Sequence, residues 1–147
     1  MSKTKIYEGY LKLIPDCEDC EVLCLIPIEE IKQEDWGFVE LEERWLSSQI
    51  QEDVYKYGDK VNLRYWITDI KPYSRDHLNQ YVVDTYYGIV HAEGEMYYSD
   101  VTGYLWTEDK IELRNRDISI GTSRNIVDEL ESFVDHYCTL EIEYLEE

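Results

Sequence analysis

Hydrophobic and polar positions along this chain alternate mainly with period two. That period puts successive side chains on opposite faces of a strand. The clearest case is Val61-Asn62-Leu63-Arg64-Tyr65-Trp66-Ile67-Thr68, which follows a turn at Tyr57-Gly58-Asp59-Lys60. Val61, Leu63, Tyr65 and Ile67 share one face, and Asn62, Arg64, Trp66 and Thr68 share the other. Cys138 to Tyr144 repeats the pattern, with Cys138, Leu140, Ile142 and Tyr144 facing inward. Ile6 to Ile14 reads as a first strand, punctuated by Pro15-Asp16. Glu21 to Ile28 reads as a second, more buried one, and Tyr81 to Val90 as another rich in Val and Tyr. A polar loop holding Pro72 separates Ile67 from that strand, and Ile111 to Leu113 and Ile118 to Ile120 are short apolar pieces.

Two aromatic runs, Glu95-Met96-Tyr97-Tyr98-Ser99 and Tyr104-Leu105-Trp106-Thr107, flank Asp100-Val101-Thr102-Gly103. Asp and Gly at turn positions between such runs predict a hairpin.

Helical spacing is clear in one place. Ile126, Val127, Leu130, Phe133 and Val134 recur on one face, with Asp128, Glu129 and Glu131 on the other. The spacing predicts a helix over about 123–134, capped by Thr122 or Ser123, with its acids early where the macrodipole favours them. Residues 29–57 have two readings. Phe38-Val39-Glu40-Leu41-Glu42 alternates as a strand followed by a loop; alternatively a helix from Leu41 onward carries Trp45, Ile50 and Val54.

Together these elements predict a mainly β domain over residues 1–147, at the margin of α+β. Its core is a single barrel-like antiparallel sheet of about six or seven strands, with one amphipathic helix near the C-terminus. A partly open barrel is expected because many short strands with mixed faces need closure or cover to remove exposed edges. A chain of 147 residues with 44% hydrophobic and 14% aromatic content can bury a real core.

Charge changes the functional picture most. The chain holds 33 acidic and 14 basic residues, a net −19, whereas a small domain is comfortable at about 2–8. This excess argues against direct contact with nucleic-acid backbones or an anionic membrane, both of which need a basic footprint. It permits a basic protein, a cationic ligand or a metal ion as partner. No targeting segment or long apolar run is visible, so a cytoplasmic protein of bacterial or phage type is expected.

Motifs that carry chemistry are scarce. Cys17-Glu18-Asp19-Cys20 is a C-x-x-C, and thiolates at that spacing can converge on Zn²⁺. Cys17 and Cys20 lack a second ligand pair, and Cys24 and Cys138 sit inside apolar strands, so neither a metal nor another cofactor is expected. His91 and Glu93 share a strand face and permit acid–base chemistry, but no nucleophile elbow, phosphate loop or zinc-protease motif accompanies them. The aromatic hairpin is the more informative feature. Its two faces both carry large aromatics, so one face needs cover from the fold or from a partner. Tyr97, Tyr98, Tyr104 and Trp106 are the candidate binding residues.

The expectation is a non-enzymatic acidic binding module. One alternative is an inhibitor that mimics nucleic-acid charge against a basic partner, as small phage-borne antagonists of bacterial defence do; that likeness is compositional. A second alternative is a small enzyme whose site carries no recognisable motif.

Overall fold

The computed structural model describes residues 2–17, 20–27, 44–72, 74, 82–114 and 123–145. Among them the chain runs β1 (Lys3–Cys17), β2 (Cys20–Ile26), α1 (Leu46–Tyr57), β3 (Lys60–Thr68), β4 (Val82–Tyr98), β5 (Leu105–Arg114), β6 (Ser123–Asn125), α2 (Ile126–Glu131) and β7 (Tyr137–Tyr144).

The protein is mainly β. All seven strands join one antiparallel sheet in the order β2-β1-β7-β3-β4-β5-β6. Among the described residues the order does not return on itself, so the sheet is not closed into a barrel there. The C-terminal β7 lies centrally, between β1 and β3. The two edges are blunted in other ways: β6 is only three residues long, and the β2 edge carries an isolated bridge from Cys24 to Trp45.

β3 and β7 show why alternation predicts placement. Val61, Leu63 and Tyr65 on β3, and Leu140, Ile142 and Tyr144 on β7, are buried in one cluster with Tyr7 and Leu11 of β1. Leu46 and Ile50 of α1 and Ile126, Val127 and Leu130 of α2 belong to the same cluster. Ile14, Val22, Cys24, Ile26 and Trp45 form a second buried cluster. The opposite face of β3 is also partly covered: Trp66 is 1% exposed.

Three points about elements are decided or corrected by the structure. First, of the two readings of residues 29–57, the helical one holds from Leu46 to Tyr57 and the loop one does not. Ile50 is buried and Val54 packs on the core, while Gly58 ends the helix, its N–H reaching the Val54 carbonyl at 2.8 Å. Second, the helix expected over 123–134 is shorter. Ser123–Asn125 pairs with Glu112–Arg114 as β6, so Asn125 becomes the cap, its side chain accepting from the Val127 N–H at 3.1 Å. Phe133 and Val134 lie in the turn after α2. There are thus two helices among the described residues, not one. Third, the strand expected at Tyr81 to Val90 and the first hairpin arm are one strand, β4. Gly94 lets it run on beneath α1, because a Cβ there would sit 2.8 Å from the Ser47 carbonyl carbon.

The expected strand Phe38 to Glu42, the apolar piece Ile118 to Ile120 and the cap candidate Thr122 lie outside the described residues. No helix among those described is long and apolar enough to cross a membrane.

Candidate functional site

β4 and β5 pair without a break from Ile89↔Arg114 to Tyr98↔Leu105 and form a two-stranded ribbon. Its tip closes as predicted: the Ser99 N–H reaches the Tyr104 carbonyl at 3.0 Å, and the Gly103 N–H reaches Ser99 at 2.8 Å. Gly103 has φ +70, a conformation open to glycine at little cost.

The ribbon is rooted by one acidic residue with no obvious motif. Asp109 on β5 accepts the Leu23 N–H at 2.9 Å, the Trp45 indole N–H at 2.9 Å and the Ser47 hydroxyl. A single carboxylate thereby ties β5 to β2 and to the start of α1. Past Val90, where β3 no longer pairs with β4, α1 takes over the strand edge: the Gln51 side chain accepts the Gly94 N–H at 3.0 Å.

Beyond α1 the cover stops. Val90, Ala92 and Gly94 are buried in sequence, but Met96 and Tyr98, next on the same face, are exposed. Tyr98 is 60% exposed, Tyr104 69% and Trp106 39%, and Val101 at the tip is also bare. On the other face Tyr97 and Trp106, directly opposite in register, stack with ring centroids 5.4 Å apart and planes 19° from parallel. The structure therefore brings all four candidate residues into one ribbon end, with Tyr97 and Trp106 stacked and Tyr98 and Tyr104 open to solvent.

Carboxylates continue along the Tyr97/Trp106 face as the cross-strand pairs Glu95↔Glu108 and Glu93↔Lys110. The Tyr97 hydroxyl donates to Glu93, which fixes the ring. That bond, with Lys110 and His91 nearby, holds the Glu93 carboxyl below the usual carboxylate range; the same bond, with Glu95 beside it, pushes the Tyr97 phenol up. His91 Nε2 lies 3.8 Å from Glu93 Oε2 in an exposed position. Glu93 is thus shared among three partners rather than paired with His91 alone. A shallow cleft beside it, between α1 and β4, is lined by Ser48, Gln51, Tyr55, His91 and Glu95.

Cys24 and Cys138 are buried core thiols. Burial pushes the Cys138 thiol up to about 12. Cys17 and Cys20 face each other in the β1–β2 register, and their side chains lie outside those described. Among the described residues no group of three or more His, Cys, Asp or Glu side chains is arranged to hold a metal ion. No family model matches this chain, and no curated protein and no solved structure matches it either.

Proposed function

We propose that this protein is a non-enzymatic acidic interaction module that binds a basic protein in the cytoplasm through the end of its β4–β5 ribbon. The observation that supports this most is the exposure of Tyr98, Tyr104 and Trp106 together at the end of a ribbon whose base is hydrogen-bonded to its neighbours through Asp109 and Gly94. Large aromatics cost little conformational entropy on binding and supply most of the energy at protein interfaces. The net charge of −19 adds long-range attraction toward a positive surface.

Nucleic-acid mimicry has less support on this face. Glu93 is bridged to Lys110 at 3.6 Å, and Glu112 to Arg114 at 2.5 Å, so the acidic row is interrupted by cations.

The test is affinity isolation of a partner from the native host at low salt, followed by binding kinetics at two salt concentrations. The proposal expects Tyr104→Ala mainly to speed dissociation and added salt mainly to slow association. Salt-independent association with an unaltered Tyr104→Ala dissociation rate contradicts it.

A further inference from the structure

We propose that the Tyr97/Trp106 face of the ribbon binds an arginine side chain of the basic partner, its guanidinium lying against Trp106 and its N–H groups on Glu95 and Glu108. The inference rests on the ribbon being the binding surface and specifies what that surface reads.

Glu95 and Glu108 stand directly across from each other, two register steps from the Tyr97/Trp106 stack and so on the same face. Like charges in that position destabilise a strand pair. Their neighbours are compensated, since Glu93 has Lys110 at 3.6 Å and Glu112 has Arg114. Glu95 accepts the Gln51 amide at 3.0 Å and also meets the Tyr97 hydroxyl, but neither Glu95 nor Glu108 meets a basic side chain among the described residues. A cation supplied from outside removes this repulsion.

The same fold shows how such a setting is filled. On β3, Arg64 lies 5.3 Å from the ring centroid of Trp66, two residues on. Its Nε at 2.8 Å and Nη2 at 2.6 Å both donate to Oε1 of Glu141, its cross-strand partner on β7. Tryptophan, carboxylate and guanidinium thus form one unit across two strands. The ribbon repeats the tryptophan and the carboxylate, with Trp106 and Glu108 two residues apart and Glu95 opposite, but its own strands supply no cation there. Arginine fits this better than lysine, because a planar guanidinium can stack on an indole and fork onto carboxylates at once. The Glu93 bond that fixes Tyr97, and through it the stack, prepares the surface in advance.

The test uses two synthetic peptides of equal length and charge, one carrying only arginine and the other only lysine, titrated calorimetrically at low salt. The arginine peptide is expected to bind about fivefold to tenfold more tightly. Glu108→Gln and Trp106→Leu should each abolish that preference. Glu131→Gln, which removes the same charge at α2, should keep it. Equal affinity for both peptides, or a preference that survives Glu108→Gln, overturns the proposal. If Trp106→Leu weakens both peptides alike, the arginine assignment falls and the ribbon remains the binding surface. If neither variant affects either peptide, both fall. Should Trp106→Leu lower the urea midpoint, the near-isosteric Glu108→Gln decides alone.

Discussion

Tyr7 on β1 donates its phenolic hydrogen to Asp53 on α1 across 2.5 Å, and both groups are buried. Tyr7 has one hydrogen to give, so the 2.7 Å contact with the Tyr144 hydroxyl must run from Tyr144 to Tyr7. The chain of three groups fastens α1 to the middle of the sheet, and α1 in turn covers the edge of β4 from which the aromatic ribbon projects.

The two tyrosines should therefore respond unequally to loss of their hydroxyls. Tyr7→Phe leaves the buried Asp53 carboxylate without its donor and should cost about 1–3 kcal/mol. Tyr144→Phe removes one neutral bond and should cost about 0.5–1.5 kcal/mol. Urea titration of both variants checks the order; an equal or reversed ranking contradicts the direction assigned to the chain.

Alkaline pH should unfold the protein through the same groups. Burial raises the Tyr7, Tyr137 and Tyr144 phenols above their usual 10.0. A phenol raised in the fold stays protonated while its unfolded counterpart ionises. The stabilisation is complete below about pH 10 and is lost as pH rises beyond it, by about 1.4 kcal/mol per pH unit for each such group. Urea midpoints should be level from pH 7 to about 9 and fall steeply above about 10. A midpoint unchanged at about pH 11 contradicts the burial of these hydroxyls.

Leu130 is fully buried in α2 against the sheet. Leu130→Ala should cost about 2–5 kcal/mol in a denaturant titration. A loss below about half a kcal/mol shows that α2 does not pack as described.

Cys24 and Cys138 should resist alkylation in the native protein and react once it is unfolded, since both are buried and the Cys138 thiol is raised to about 12. Peptide mapping after timed iodoacetamide treatment checks this. Rapid native labelling of either residue contradicts the core assignment.

What could be read in advance follows from how local each signal is. β3 and β7 were legible because Val61, Leu63 and Tyr65, and Leu140, Ile142 and Tyr144, alternate without interruption. The ribbon turn was legible because Gly103 and its neighbours carry turn chemistry in four consecutive residues. Sheet order was not, because nothing local to β7 says that its neighbours are β1 and β3, and alternation leaves an open and a closed sheet equally patterned. α1 was obscured by the polar residues it buries: Ser47 and Asp53 interrupt the apolar stripe that would mark it as a helix. The start of α2 was misplaced because Ser123 and Asn125 are both good caps, and only the pairing of Ser123–Asn125 with β5 selects Asn125. The four aromatics stood out by composition. Asp109 as the root of the ribbon, and Glu95 facing Glu108, emerge only once strand register is known.

The most direct measurement places a photo-activatable cross-linking residue at Val101, the exposed ribbon tip, in the full chain expressed in its native host. The account predicts one discrete cross-linked partner. Its yield should fall at least several-fold when Tyr104→Ala and Trp106→Ala are added, and a cross-linker at the equally exposed Tyr55 on α1 should not reproduce it. No adduct at Val101, or an adduct indifferent to both aromatic substitutions, contradicts the claim that this ribbon is the interaction surface.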